Sequence, residues 1–133
     1  MPSFGTASRQ RLDTCHIDLQ EVCELAIVNY DFSVLEGFRS NARQDELFRQ
    51  GKSKLGAGTS MHNSDPSMAV DIAPYPIDWE NPKRFYLLAG FMFQAASQLG
   101  VKLRWGGDWD GDWIHTDQSF MDLPHFELLE EYT

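Results

Sequence analysis

Apolar positions in the first quarter of the chain recur at three- and four-residue steps: Leu12, Cys15, Leu19, Val22, Cys23, Ala26, Ile27 and Tyr30. That spacing predicts an amphipathic helix with a break near residues 14–18. Residues 31–38 then read as a strand. Asn41 followed three residues later by Gln44 predicts a capped helix ending at Gly51. The Gly/Ser-rich run 51–67 reads as a loop ordered by its contacts. Met68 to Ala73 is a short apolar run of buried-strand length. The next helix has the clearest boundaries: Asn81 as cap, Pro82 at the first helical position and Gly100 after the last turn. Phe85, Leu88, Met92, Ala95, Ala96 and Leu99 form its apolar face. Residues 101–105 predict a strand, 106–121 a long loop rich in Trp, Gly and Asp, and 124–129 a final strand. No repeat or linker interrupts this order. It predicts a single compact α+β domain over residues 1–133, with a small antiparallel sheet packed with helices.

Composition narrows what such a domain can do. The chain has 133 residues and a net charge of −9. Phosphate contacts need clustered Lys and Arg, so nucleic-acid binding is excluded as the main activity. No apolar run is long enough to span a bilayer, which predicts no membrane insertion. The start, MPSFGTASRQRLD, has no apolar signal core, which predicts no Sec-type leader. Five of the eleven basic residues fall between Arg39 and Lys54, whereas residues 106–133 contain none. That acidic end is either a solvated face or the wall of a cation site. Cys15 and Cys23 fit the stripe of one helix and read as buried free thiols, too far apart to bridge.

Three residues stand out for chemistry. Asp71 lies inside an apolar strand, between Val70 and Ile72, where an unpaired carboxylate would be costly to bury. It needs a cation, a metal or several donors, unless it faces the solvated side of the strand. His62 lies in the Ser-rich loop. His125 follows Pro124, and strand alternation puts it on one face with Glu127 and opposite Phe126. A single such His is commonly a spectator, but two His and one carboxylate are the ligand set of many catalytic zinc sites. Asp122, three residues before His125, is either a turn former before Leu-Pro or a carboxylate placed to exchange a proton beside a metal. Arg39, at a strand end, is either one half of a surface ion pair or a donor to a developing oxyanion.

These pieces lie in a characteristic order: Gly37-Phe38-Arg39-Ser40, Gln44, Ser60-Met61-His62, Ala69-Val70-Asp71, Trp105-Gly106-Gly107-Asp108-Trp109 and Asp122-Leu123-Pro124-His125-Phe126-Glu127. From about residue 19 to residue 129 the chain resembles the zinc D,D-carboxypeptidase and L-alanyl-D-glutamate endopeptidase family (peptidase family M15), and its short phage endolysins most. The resemblance implies a Zn2+ site at the sheet edge, held by His62, Asp71 and His125. It implies Asp122 as catalytic acid/base and Arg39 as the arginine at the scissile carbonyl. It further implies Gln44, Ser60, Trp105, Asp108 and Trp109 beside the substrate. One departure is plain: eight residues separate His62 from Asp71, whereas many relatives have six, with a Gly among them. The longer loop must bulge, as in a phage subgroup with a Pro-Ser-x-Ala-Val-Asp run.

The implied activity is hydrolysis of a peptidoglycan peptide bond, L-Ala-D-Glu first. A D-Ala-D-Ala carboxypeptidase/dipeptidase, and a non-catalytic wall-binding or virion module of the same fold, are the alternatives. The implied partner is the peptidoglycan stem peptide. The implied state is a monomer made in the host cytoplasm, acting on the cell wall after a holin opens the membrane. Asp108, Asp110 and Asp112 alternate like the start of a calcium loop, but Trp113 stands where the turn glycine belongs and no closing Glu follows, so the pattern reads against calcium. His115 reads as a spectator.

Overall fold

The computed structural model describes residues 2–53, 55–56, 58, 60–112 and 121–129. Two helices open the chain: α1 (Thr6–Leu12) and α2 (Ile17–Ile27). The single stripe predicted for this region is thus carried by two helices, and the break, at residues 13–16, overlaps the predicted interval. His16 starts α2, its Nδ1 accepting the Asp18 amide at 3.0 Å. Cys15 therefore sits in the turn between the helices and only Cys23 on α2. Both are buried free thiols, and burial pushes the Cys15 thiol up to about 12.

Strand β1 (Phe32–Glu36) leads to α3 (Asn41–Arg49), then to a 3-10 turn (Met61–Asn63) and β2 (Ala69–Pro74). Helix α4 (Pro82–Leu99) precedes β3 (Leu103–Gly106) and β4 (Asp122–Leu128). The cap of α3 is Ser40, whose Oγ accepts the Arg43 amide at 3.1 Å. The predicted Asn41–Gln44 box does not form, because Gln44 is drawn inward by other partners. Pro82 opens α4 and Gly100 closes it in the left-handed region at φ 72°. Asn81 precedes Pro82 as predicted but makes no side-chain cap bond. Leu99, expected on the apolar face, is exposed at the helix end.

The sheet is antiparallel in the order β1-β2-β4-β3. Alternation sends Val70 and Ile72 of β2, and Phe126 and Leu128 of β4, into one core with α1, α2 and α4. That core also takes Leu12, Leu19, Val22, Leu88 and Met92, all at most 1% exposed. Burying an aliphatic or aromatic side chain of this kind stabilises the fold by roughly 1.5–3 kcal/mol. The reverse face of β2 and β4 carries Asp71, His125 and Glu127.

The long link from His62 to Asp71 takes an ordered path. After the 3-10 turn it bends through Ser64–Pro66, and Ser67 then pairs with the α1–α2 turn. The Ser67 amide donates to the Thr14 carbonyl at 2.9 Å, and the His16 amide to the Ser67 carbonyl at 2.8 Å. The expected bulge is therefore anchored to the helices.

Candidate metal centre and active site

Register brings the first two groups together. In the ladder between β2 and β4, Asp71 faces His125 directly; in the ladder between β1 and β2, Glu36 faces Asp71. His62 arrives from the 3-10 turn. The Ser60 hydroxyl accepts the His62 amide at 3.1 Å, and the Asn63 side-chain oxygen accepts the Ser60 amide at 3.1 Å. The Arg39 amide donates to the His62 carbonyl at 2.8 Å, and the Asn63 amide group returns a bond to the Arg39 carbonyl at 2.8 Å. The turn is therefore clamped to the end of β1.

Potential ligand atoms of His62, Asp71 and His125 lie within 4.8 Å of one another. His62 Nε2 is 3.1 Å and His125 Nδ1 3.3 Å from Asp71 Oδ1. The remaining polar atom of each group has its own holder. His62 Nδ1 lies 2.8 Å from the Gly37 carbonyl, which fixes Nε2 toward the cluster. His125 Nε2 lies 2.7 Å from Glu127 Oε1, and Arg104 holds Glu127 through Nε at 3.2 Å and Nη2 at 2.9 Å. Asp71 Oδ2 takes Arg39 Nη2 at 3.3 Å. Two imidazole nitrogens and a carboxylate oxygen are thus aimed at one another while their far sides are held. The donor set and its outer partners fit a divalent metal of the zinc type. The expected place at the sheet edge is corrected: the cluster sits on the open face of the two central strands, because register pairs Asp71 with His125 there.

Electrostatics follow from this packing. Burial works to raise Asp71, but the His62 and His125 charges and hydrogen bonds outweigh it and hold the carboxyl well below its usual range. Burial works to lower His125, but bonds to Asp71 and Glu127 overturn this and raise it to about 9 in the metal-free protein. Burial would raise Glu127, yet His125 and Arg104 hold it below its ordinary value.

Asp122 reaches the same cleft through an irregularity in β4. Pairing with β3 slips from Trp105 opposite Phe126 to Gly106 opposite Asp122. The approach is so close that a Cβ on Gly106 would lie 2.0 Å from the Asp122 carbonyl oxygen. Gly106 is thus required where the strands meet. Burial raises Asp122 above its ordinary value and the Asp71 charge adds to that, against His125, His62 and Arg39. Asp122 is a strand residue at the cleft, so the turn reading is corrected.

The cleft measures about 560 Å³ and is lined by Arg39, Ser60, Trp109 and Asp122 along with the cluster. Trp109 leans over His125 with ring centroids 5.4 Å apart. Other expected substrate contacts are corrected. Gln44 is fully buried: its oxygen takes Arg39 Nη1 at 2.8 Å and its amide donates to Ser53 Oγ and the Leu55 carbonyl. It positions Arg39 and cannot touch substrate. Trp105 is buried, stacked on Phe126, and donates its indole N–H to the Leu123 carbonyl at 2.7 Å. Asp108 is buried and lines a neighbouring depression with Asp110 and Gly111, not this cleft. Oxygens of Asp108, Asp110 and Asp112 do lie within 4.8 Å of one another. Trp113 and His115 lie outside the described residues.

Glu127 and Glu36 were not among the expected site residues. The alternating His-Phe-Glu was a usable signal for Glu127. Glu36 had none, since its place beside Asp71 depends on a pairing across 35 residues of chain. Its Oε1 takes Arg39 Nη2 at 2.7 Å.

Among the described residues, one antiparallel sheet with helices and a His/Asp/His cluster in its cleft defines a class first, that of α+β proteins with a candidate metal centre. The family is equally definite. This chain belongs to the phage L-alanyl-D-glutamate peptidase family, which matches residues 2–129. It is 33% identical to the L-alanyl-D-glutamate peptidase of Escherichia phage T5 over 95% of this chain and 97% of that one. It is also 33% identical to the peptidoglycan L-alanyl-D-glutamate endopeptidase CwlK of Bacillus subtilis, over 74% of this chain and 61% of CwlK. The crystal structure of Serratia marcescens L-Ala D-Glu endopeptidase ChiX superposes with a TM-score of 0.78 at 32% identity, covering 98% of this chain and 92% of that one.

Proposed function

We propose that this chain is a zinc-dependent peptidase that hydrolyses the L-Ala-D-Glu bond of peptidoglycan stem peptides. The observation that carries the proposal is the convergence of His62, Asp71 and His125 beside Asp122 in one open cleft. The names of the relatives supply the bond.

His62 Nε2, Asp71 Oδ1 and His125 Nδ1 would hold the metal. When bound, zinc supplies Lewis acidity, activating water near neutral pH and polarising the scissile carbonyl. Asp122 accepts the proton of the attacking water and delivers it to the leaving D-Glu nitrogen. Its place in the cleft beside the cluster suits it to both steps. Arg39 faces the negative charge that develops on the carbonyl oxygen; Glu36 and Gln44 hold its guanidinium in place. Ser60 caps the turn that presents His62, and Trp109 forms a cleft wall over His125.

The same reading makes the chain a monomer of the host cytoplasm that reaches the wall once a holin opens the membrane. Likeness to a phage enzyme over nearly its whole length supports this route. No described helix is long and apolar enough to cross a membrane.

The test is product analysis on purified muropeptides with zinc-loaded and chelated protein. Zinc-loaded protein should expose a new D-Glu amino terminus, and chelation should abolish it. His62→Ala, Asp71→Ala and His125→Ala should each lose stoichiometric zinc. Release of D-Ala instead would assign the carboxypeptidase reaction, no product would favour a binding module, and unchanged cleavage after chelation would remove zinc.

A further inference from the structure

Six of the eleven cations of this acidic chain are held by partners among the described residues. Arg9, Arg39, Arg49 and Arg104 stand in ion pairs, and Arg11 and Arg84 donate to backbone carbonyls. Arg43 and Lys52 differ. Both are exposed, both line the catalytic cleft, and neither side chain makes an ion pair or hydrogen bond among the described residues. Arg43 lies in the first turn of α3 and Lys52 just beyond its end, with the buried Leu47 between them on the same wall. Three of the four acids lining the cleft are engaged otherwise, Glu36 by Arg39, Glu127 by His125 and Arg104, and Asp71 by both histidines; the fourth is Asp122. A chain of net charge −9 thus places two exposed cations, Arg43 with Glu46 nearby on its own helix, on the wall of a cleft otherwise rich in acids.

The proposed substrate has a charge to match. A glutamate joined through its nitrogen to alanine uses at most one of its two carboxyls to continue the peptide. One free carboxylate therefore stays on the residue that becomes the leaving group. Near Asp122 it would be repelled; along α3 it meets two exposed cations that line the cleft. Resting on the peptidase reading above, we propose that Arg43 and Lys52 bind the free carboxylate of the D-Glu residue, making the enzyme selective for stem peptides in which that group is ionised over those in which it is amidated.

The experiment compares two synthetic peptides identical except that the free carboxylate of the D-Glu residue is a carboxamide in one. Zinc-loaded wild type should cleave the acid with a kcat/KM higher by on the order of tenfold, the size expected of two partly exposed charge pairs on one carboxylate. The difference should sit mainly in KM and shrink as salt is raised. Arg43→Gln with Lys52→Gln should bring the acid-to-amide ratio to within about twofold of unity. Arg43→Glu with Lys52→Glu should invert it. Both positions are exposed, so folding is checked simply by thermal melting and zinc content. Equal cleavage of the two peptides by wild type, or a preference that survives in the double Gln variant, overturns this inference and leaves the peptidase reading standing. Cleavage of neither peptide by zinc-loaded wild type overturns the peptidase reading, and the inference falls with it.

Discussion

Strands β2 and β4 have two faces built on opposite principles, although the residues alternate along the same backbone. On the helix side Val70, Ile72, Phe126 and Leu128 are fully buried and mutually apolar. On the cleft side Asp71, His125 and Glu127 are joined by hydrogen bonds and opposite charge. The first face stabilises the fold by leaving water. The second is favourable only because every buried charge has a partner, and desolvation makes such networks weak sources of stability. The comparison teaches that stability and reactivity in this protein reside on opposite sides of a single sheet. Changes on the helix side should be nearly invisible to zinc binding and turnover.

Asp122→Asn gives the largest expected effect and the sharpest test of that separation. It should keep zinc and fold while turnover falls by about 10²–10⁴, the range for losing a general acid/base. Stability should move the other way. A carboxyl whose folded pKa is raised adds stability below its unfolded pKa, near 3.9, and loses it as pH rises through the folded value. The metal-free Asn variant should therefore melt above metal-free wild type at neutral pH, and the gap should close in acid. Near-normal turnover would take Asp122 out of the mechanism.

Phe126→Ala probes the other face, one residue from His125. Phe126 is fully buried against Trp105 and Phe93. Its truncation should cost about 3–5 kcal/mol in denaturant unfolding. Below the new transition, zinc content and kcat should stay near wild type. Loss of zinc from the still-folded variant would break the comparison, showing the faces to be coupled.

Glu127→Gln should weaken zinc binding by about 10–100-fold, as for other partners that orient a metal-bound His, and should lower the melting temperature of the metal-free protein, since His125 and Arg104 lose their buried carboxylate partner. Competition with a chelator measures the first quantity and thermal melting the second. Equal affinity would mean that the Arg104–Glu127 pair serves only the sheet.

The smallest effect is the slope with pH. His125 is raised to about 9 in the metal-free protein, so zinc must displace its proton at neutral pH. Affinity should weaken by up to about tenfold per pH unit below that value and level off above it. In the metal-free protein the same group adds stability that is complete below its unfolded value, near 6.5, and is lost as pH rises toward 9. Calorimetry in buffers of different ionisation enthalpy would count the protons released; none at neutral pH would contradict the raised value.

The local pattern along the chain determined a good deal. Helix α4 ends at its Pro and Gly signals because those residues restrict the backbone whatever surrounds them. The pairing of an apolar run with one interior carboxylate singled out Asp71, since a buried charge must find a partner. The alternation in His125-Phe126-Glu127 showed which side chains share a face. The resemblance carried by spaced motifs supplied the family and the candidate ligands. Only the tertiary structure decided the rest. Gln44 and Trp105 stand in motifs beside the site, yet one is buried under Arg39 and the other in the core; a motif marks position in the chain, not exposure. Glu36 joined the site through strand pairing. Of the two readings of Asp122, turn former and acid/base beside a metal, the slip in register at Gly106 left it a cleft carboxylate. The metal group moved from the sheet edge to the middle of its open face. Each of these depends on which distant segments become neighbours, and contacts of that kind are settled by packing and hydrogen-bond register across the sheet rather than by any residue's local preference.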